Sequence, residues 1–322
     1  MKAIVYDKYG PADVLELKEI DKPVVNDDDV LVRVHAASVN PYDWHFMTGL
    51  PYFARLEFGL FKPKRNTLGA DVAGSVEAVG KSVTQFQPGD EIFGSCAGAF
   101  AEYVCVSEDS VALSPATLTF EQAAGVPMAA GTALQGLRDK GQIEAGHKVL
   151  INGASGGVGT FGVQIAKAFG AEVTGVCSTR NVDMVRSIGA DHVIDYTHED
   201  FALGGERYDL MFDNVGNRSL SECRRVLTPK GVYIASFGQP EHRWLGPLAQ
   251  LLRMLVMSRF VSQKMITFTA KESNEDLVVL KELIEAGKVT PVIDRTYPLS
   301  EVPEAIRYLE EGHARGKVVI AT

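Results

Sequence analysis

Cysteine is scarce in this sequence and forms no recognisable metal or disulfide pattern. The 322 residues contain four cysteines, widely spaced and without a Cys-x-x-Cys pair: Cys96, Cys105, Cys177 and Cys223. This spacing excludes a disulfide framework and a zinc knot, and it is typical of buried, reduced thiols. We therefore expect a cytoplasmic protein.

A net positive charge and long apolar runs are also missing. The net charge of −9 argues against a nucleic-acid binder, which would normally carry a basic face. No apolar run is long enough to span a bilayer, and we expect no signal peptide because strand-like sequence begins at once. There is no internal repeat, and 322 residues suffice for two domains with cores of their own.

The central motif is a glycine-rich turn between a predicted strand and a predicted helix. An apolar run at 149–151 leads into four glycines within the seven residues 153–159, and apolar residues at helical spacing follow. The dinucleotide fingerprint Gly-x-Gly-x-x-Gly matches here, with alanine in place of its first glycine. Glycine lets backbone approach a phosphate, and a helix N-terminus offers N–H groups to it. The predicted phosphate contacts are Ala154, Ser155, Gly156, Gly157, Val158 and Gly159; a turn packed for purely steric reasons is the alternative.

The pattern of elements changes along the chain near Thr119. Residues 1–115 predict short strands in a mostly antiparallel β barrel, and helices follow, with Ser114 and Thr119 as candidate caps. Alternating strands and helices then predict a parallel sheet with right-handed crossovers. Its strands are expected at 148–152, 171–177, 192–196, 208–213, 231–236 and 265–269, with later helices at 274–286 and 301–311 and tail strands at 289–293 and 317–320.

Several short motifs together resemble the medium-chain dehydrogenase/reductase superfamily, and most closely its zinc-free quinone-oxidoreductase-like branch. They lie at 38–43, 69–74, 99–103, 131–133 and 188–191, in addition to the phosphate turn, and the resemblance covers the whole chain. It implies an α/β protein with two domains. Residues 1–118 and 287–322 would form a GroES-like, mostly antiparallel β-barrel catalytic domain. Residues 119–286 would form a Rossmann domain with a doubly wound parallel sheet, and a homodimer would be joined at the edge strand near 265–269.

The resemblance also bears on metal use. Zinc-using members of the superfamily carry Cys where this chain has Asn40, and Gly-His-Glu where it has Gly69-Ala70-Asp71. Alanine cannot bind a metal, and a catalytic zinc needs three protein ligands. The cysteines of the structural zinc lobe are absent as well. We therefore expect no metal site.

The residues that would choose the cofactor point to NADPH. NAD-binding chains place Asp or Glu at the end of the second strand, but here that strand ends with Ser178 and Arg180. A hydroxyl and a guanidinium suit a 2′-phosphate. Tyr196 matches a position at which relatives contact the same phosphate. The alternative is that Arg180 is only a solvated residue at a helix start.

Chemistry without a metal favours quinones and α,β-unsaturated carbonyls as hydride acceptors, because their developing charge delocalises onto oxygen. The resemblance suggests Asn40 as a hydrogen-bond donor, and Tyr42 or Tyr52 as a donor or proton source. Asp43 would orient their loop. The branch's Asn-x-x-Asp-x-x-x-Arg-x-Gly-x-Tyr pattern is only partly kept, so the tyrosines could instead merely shape an apolar cleft. Further candidate cofactor contacts are Thr132, Asn214, Val215, Phe237, Gly238 and Lys317.

Two other functions fit the same sequence. A 2-enoyl-thioester reductase would use Lys62, Lys64 and Arg65 as a basic entrance for its carrier. A non-catalytic, crystallin-like protein would retain NADPH without turnover. Residues 244–261 are apolar nearly all round; they could contact a membrane surface peripherally, or form a buried helix over the substrate or at a subunit interface.

Overall fold

The computed structural model describes residues 1–236 and 262–322. Contacts divide the chain into two compact units. The first contains residues 1–131, 272–285 and 291–322, and the second contains 132–271 and 286–290. The predicted cofactor contacts Phe237 and Gly238 and the apolar segment 244–261 lie outside the described residues.

Strands predominate in the first part of the chain, and strands alternate with helices after it. The strands are β1 (Lys2–Val5), β2 (Glu16–Glu19), β3 (Asp29–Val39), β4 (Asp71–Val79), β5 (Glu91–Ser95), β6 (Tyr103–Ser107), β7 (Val111–Leu113), β8 (Lys148–Asn152), β9 (Glu172–Cys177), β10 (His192–Asp195), β11 (Tyr208–Asp213), β12 (Leu227–Ala235), β13 (Lys264–Thr267), β14 (Ile293–Pro298) and β15 (Lys317–Ala321). The α-helices are α1 (Pro41–Thr48), α2 (Arg55–Phe58), α3 (Phe120–Ala124), α4 (Pro127–Leu134), α5 (Gly157–Ala168), α6 (Val182–Ser187), α7 (Leu220–Arg225), α8 (Asn274–Glu285) and α9 (Val302–Glu310).

The first unit is built on an antiparallel sheet around the long strand β3. The strand order is β14-β15-β3-β4-β5-β7, with β6 also paired to β3, and only β14 and β15 run parallel. The register of β3 sets Ser38 opposite Asp71 at the start of β4 and Val39 opposite Val318 in β15. These pairings bring polar residues at the ends of three strands to one place.

The second unit is an open parallel sheet. Its order is β10-β9-β8-β11-β12-β13, which is 3-2-1-4-5-6 in sequence order and is the doubly wound arrangement that binds dinucleotides. The strands are buried on both faces, as their apolar runs predict. The order reverses between β8 and β11, where Asn152 pairs with Asp213 at the carboxyl end of both strands. The predicted α/β architecture is confirmed.

Two details differ from the sequence-based expectations. The N-cap of α3 is Thr119, whose hydroxyl accepts from the Gln122 N–H. Ser114 is not a cap, because no helix begins directly after it. The strand expected at 289–293 begins only at Ile293, after Pro291, which has no N–H to donate to a sheet. Residues 119–131 and 272–285 group with the first unit because α3 contacts β3 and β4, and α8 contacts β7. The functional division at 118/119 and 286/287 stays a prediction.

No helix among the residues described is long and apolar enough to cross a bilayer.

Candidate active site

A buried ion pair lies where β3, β4 and β15 meet. Lys317 Nζ donates to Asn40 Oδ1 at 2.6 Å and lies 3.6 Å from Asp71 Oδ2. Lys317 is 3% exposed and Asp71 is 0% exposed. Burial lowers the pKa of Lys317 from its usual range, while the charges of Asp71 and Asp43 act in the opposite direction.

Asp71 is the centre of this network. Its Oδ2 accepts from Ser38 Oγ at 2.7 Å and from Asn40 Nδ2 at 3.0 Å, and its Oδ1 accepts from the Met128 N–H at 3.0 Å. A buried carboxylate needs such partners, because desolvation without them is costly. The role of Asp71 as the hub was not predicted from the sequence; its only local signal was its place in the Gly-Ala-Asp motif.

Asp43 holds the turn between β3 and α1. Its Oδ2 accepts from the Asn40 N–H at 2.8 Å, and its Oδ1 accepts from the Gly69 N–H at 2.9 Å. The carboxyl group is fully buried, and burial raises its pKa to about 7. These contacts are those of a residue that orients the loop.

Asn40 has no amide hydrogen left for a substrate in this arrangement. Besides its bond to Asp71, Nδ2 donates to the Ser38 carbonyl at 3.2 Å, and Oδ1 accepts from Lys317. The side chain is also buried. The structure therefore joins Asn40 and Lys317 in one buried network. The predicted roles of Asn40 as a donor to substrate and of Lys317 as a cofactor contact stay predictions.

The two candidate tyrosines lie on consecutive elements. Tyr42 is in the first turn of α1, is 38% exposed, and packs against Phe46 with the rings tilted and their centroids 4.3 Å apart. Tyr52 begins the 3-10 turn Tyr52–Ala54, and the guanidinium of Arg55 lies 4.8 Å from the centre of its ring. Asn40 precedes the first residue of α1, so the buried network fixes the base of the helix that carries Tyr42.

The phosphate turn has the geometry that its glycines predict. Gly153 adopts φ +81°, so the left-handed position falls one residue before Ala154, which explains why alanine is tolerated there. A Cβ on Gly159 would lie 2.0 Å from the Gly153 carbonyl oxygen. The first helical bond of α5 runs from the Thr160 N–H to the Gly156 carbonyl. The preceding amides, of Gly157, Val158 and Gly159, have no partner within the helix and can bind an anion.

The candidate 2′-phosphate residues follow two neighbouring strands. Cys177 pairs with Asp195 at the ends of β9 and β10, and the Tyr196 N–H donates to the Cys177 carbonyl at 3.0 Å. Ser178 and Tyr196 therefore leave the sheet side by side. Arg180 lies in the 3-10 turn that begins one residue after Ser178, and its residue is exposed.

The loop after β11 is organised by Asp213, which was not predicted from the sequence. Its Oδ1 accepts from the backbone N–H groups of Val215 and Gly216 at 3.0 and 2.9 Å, and Oδ2 accepts from Tyr233 Oη at 2.9 Å. Asn214 donates its N–H to the Asn152 carbonyl at 3.1 Å. The predicted contacts Asn214 and Val215 are thus held at the point where the strand order reverses. Thr132, another predicted contact, lies on α4.

The residues of the second unit fit a dinucleotide. The carboxyl edge of the parallel sheet carries the amides of the phosphate turn and the hydroxyls of Ser155 and Ser178 as donors. Two buried side-chain acceptors close to this edge, Asn181 Oδ1 and Asn214 Oδ1, have no partner within the described chain. Buried polar groups normally find partners, so these atoms indicate that a polar ligand completes the site.

Comparisons with known proteins agree with the fold. Residues 26–116 match the model of the alcohol dehydrogenase GroES-like domain, and residues 188–320 match the model described as zinc-binding dehydrogenase. The mitochondrial NAD(P)H oxidoreductase RTN4IP1 of Mus musculus is 37% identical over 99% of this chain and 89% of its own length. The chloroplastic NADPH-dependent alkenal/one oxidoreductase of Arabidopsis thaliana is 35% identical over 99% and 79%. The structure of the quinone oxidoreductase from Coxiella burnetii has a TM-score of 0.86 at 30% identity and covers 100% of this chain and 99% of that one.

The fold and the site define a nicotinamide-dependent oxidoreductase. The chain belongs to the medium-chain dehydrogenase/reductase superfamily, in its quinone-oxidoreductase-like branch. The names of two of these relatives place them in mitochondria and chloroplasts, so a cytoplasmic location for this chain stays a prediction.

Proposed function

We propose that this protein is a zinc-independent reductase that transfers hydride from NADPH to quinones or α,β-unsaturated carbonyls. The observation that carries the choice of cofactor is the end of β9, where Ser178 and Arg180 stand in place of a carboxylate. The substrate class is supported by the activities in the names of relatives that span nearly the whole chain.

The side chains at the position of a catalytic zinc do not fit a metal, although one matching family model carries zinc in its description. Ala70 has no ligand atom, and both oxygens of Asp71 are already hydrogen-bonded. Lys317 also places a cation 3.6 Å from Asp71 Oδ2. No three His, Cys, Asp or Glu side chains in residues 1–236 and 262–322 are close enough to hold a metal ion. We therefore propose that reduction needs no Lewis acid.

The chain's own residues would then bind, orient and protonate. A bound reduced nicotinamide supplies the hydride. The N–H groups of Gly157, Val158 and Gly159 would hold the diphosphate, and Asp213 fixes the loop that carries Asn214 and Val215. The hydroxyl of Tyr42 or Tyr52 donates to the substrate oxygen, where negative charge develops as hydride arrives. Asn40 and Lys317 act indirectly, by fixing the start of α1.

Assembly is a separate part of the proposal. Among the described strands, β13 is hydrogen-bonded to β12 alone. Its other edge is not paired with any described strand and could pair with a second copy of the chain. We propose a homodimer joined at this edge. Sedimentation equilibrium at micromolar concentration should give twice the chain mass of 34.9 kDa, and a monomer mass would refute the dimer.

The decisive experiment is a set of NADPH-oxidation assays on the purified full chain. A benzoquinone, a short alkenal and a 2-enoyl-CoA thioester should be compared at equal concentration. Turnover of the quinone or alkenal at a kcat/KM at least tenfold above the thioester supports the proposal. Faster turnover of the thioester would favour the enoyl-thioester reductase, for which the exposed Lys62, Lys64 and Arg65 offer a basic surface. Binding of NADPH without turnover of any substrate would favour the non-catalytic alternative.

A further inference from the structure

Asn181 is a buried amide that connects the phosphate turn to the end of β9. It is 4% exposed and lies where the 3-10 turn Thr179–Asn181 passes into α6. Its Nδ2 donates to Ser155 Oγ at 3.0 Å and to Ser178 Oγ at 3.2 Å. Its backbone N–H donates to the Ser178 carbonyl at 2.9 Å, which fixes the backbone from which the side chain projects.

These two bonds determine how the serines can act. A hydroxyl has one hydrogen and two lone pairs, and an amide nitrogen can only donate. Both hydrogens of Asn181 Nδ2 are directed at serine oxygens, so each serine accepts from Asn181 and keeps its own hydrogen for another partner. Ser155 and Ser178 thus become a pair of donors that converge from two different elements. Two convergent donors suit an anion.

The other end of the amide supplies a complementary group. Asn181 Oδ1 is buried and has no hydrogen-bond partner among the described residues. An acceptor beside two donors matches a phosphate next to a hydroxyl, which is the pattern of a ribose that carries a 2′-phosphate and a free 3′-hydroxyl. An unphosphorylated ribose has no anion to satisfy both serines.

We propose that Asn181 is a positioning residue for cofactor choice: it turns the Ser155 and Ser178 hydroxyls towards the 2′-phosphate and accepts from the neighbouring ribose hydroxyl. This inference rests on the proposed use of NADPH. It adds a residue that acts through two serines, whereas Arg180 acts through its own charge.

Aspartate at position 181 has the same shape and the opposite hydrogen-bonding character. A carboxylate would accept from both serines, turn their hydrogens inward and add a negative charge beside the phosphate. The effect expected from two lost hydrogen bonds of ordinary strength is about a 30-fold loss of affinity for a 2′-phosphate. Alanine would only free the serines to rotate, so Asn181→Ala should cost less than Asn181→Asp.

The test is calorimetric titration of the full chain with adenosine 2′,5′-bisphosphate and with 5′-AMP. These probes differ only in the 2′-phosphate, and binding is measured without any reaction. The ratio of the two affinities should fall at least tenfold in Asn181→Asp, while 5′-AMP affinity changes little. Asn66→Asp, an exposed change of equal charge in the first unit, is the matched control and should leave the ratio unchanged.

A second arm separates positioning from general damage. In a Ser155→Ala/Ser178→Ala background the donors are gone, so Asn181→Asp should lower the ratio less than it does in the wild type. An equal effect in both backgrounds would mean that Asn181 does not act through the serines and would overturn the proposal. If Asn181→Asp does not fold, as judged by its thermal melt, Asn181→Ala carries the same comparison with an expected threefold fall, and an unchanged ratio overturns the proposal.

The failures can be told apart. If the wild type shows no preference for the bisphosphate, both NADPH use and this inference are overturned. If the wild type prefers the bisphosphate but Asn181→Asp lowers the ratio less than tenfold, only the role of Asn181 is overturned.

Discussion

Lys317 Nζ lies 2.6 Å from Asn40 Oδ1, although the two residues are 277 positions apart in the chain. The contact also brings the ammonium group to Asp71, and all three side chains are buried. Methionine at position 317 would keep much of the apolar stem but remove the charge and the hydrogen bonds. Because Asp71 would then remain buried without a cation, Lys317→Met should lower the free energy of unfolding by about 3–5 kcal/mol.

Urea denaturation measures this loss. The control is Lys148→Met, which removes an exposed ion pair with Glu206 and should cost about 1 kcal/mol or less. Equal losses in the two variants would show that the buried pair has no special part in stability.

Arg180 should discriminate between the two nicotinamide cofactors. The 2′-phosphate is roughly dianionic near neutral pH, so a charged hydrogen bond to it is worth about 1.5–3 kcal/mol, or a ten- to hundredfold preference. Arg180→Ala should raise the KM for NADPH by that factor and barely change the KM for NADH. Tyr196→Phe should act in the same direction but more weakly, because it removes a neutral donor. Arg225→Ala, an exposed change on α7, is the control; a wild type that prefers NADH would contradict the assignment.

Gly159→Ala should weaken the binding of NADPH and of NADH to a similar degree. The new Cβ would lie 2.0 Å from the Gly153 carbonyl oxygen and 2.9 Å from Ala154 Cα, so backbone of the phosphate turn must move. We expect at least a tenfold loss of affinity for NADPH and for NADH, measured by fluorescence titration. Gly205→Ala is the matched control, since its Cβ would meet nothing within 4 Å. Unchanged affinity in Gly159→Ala would mean that the diphosphate does not bind at this turn.

Asp43 should make stability depend on pH. Burial raises its pKa from 3.8 to about 7, so between these values the folded state holds a proton that the unfolded state has released. Its contribution to the free energy of unfolding therefore falls as pH rises through this window, by at most about 1.4 kcal/mol per pH unit, and is constant above it. Urea denaturation at pH 5, 6, 7 and 8 should show a smaller slope in Asp43→Asn than in the wild type. Asp183→Asn, an exposed change on α6, should keep the wild-type slope. Parallel slopes in all three proteins would exclude this titration.

Activity should not depend on zinc. Metal analysis of the purified protein should find no stoichiometric zinc, and prolonged treatment with a chelator should leave kcat with a quinone unchanged. The physical reason is that Ala70 cannot ligate and Asp71 is already saturated by its neighbours. Activity that is lost to the chelator and regained with zinc would refute the proposal.

Much of the second unit could be predicted from local pattern. The strand expected at 148–152 is β8 with the same bounds, and the one at 208–213 is β11. Apolar runs bounded by turn residues specify such strands over a few positions, and the glycines of the phosphate turn are a local requirement as well. The tail was less predictable, because β15 is the one described strand that pairs with β14, and where that pairing starts depends on the rest of the sheet.

The contact between Asn40 and Lys317 could not be predicted from local sequence pattern. The sequence singled out Asn40 and Lys317 but assigned them to substrate and to cofactor, and it did not connect them. Their contact depends on the register of β3 with both β4 and β15, which is decided by the packing of the whole sheet. Asn181 was missed for a similar reason, because one of its two serine partners, Ser155, lies 26 residues away.

The sequence by itself determined the family, the α/β architecture, the phosphate turn and the missing acid at the end of β9, because these depend on residue identity and spacing over short stretches. Only the tertiary structure decided which polar atoms are already occupied. The side-chain amide of Asn40 is already hydrogen-bonded to Asp71, Ser38 and Lys317. Asn181 Oδ1, in contrast, has no partner among the described residues. The physical reason is that a hydrogen bond requires atoms within about 3 Å of each other, and for residues far apart in the chain that distance is set by strand register and packing.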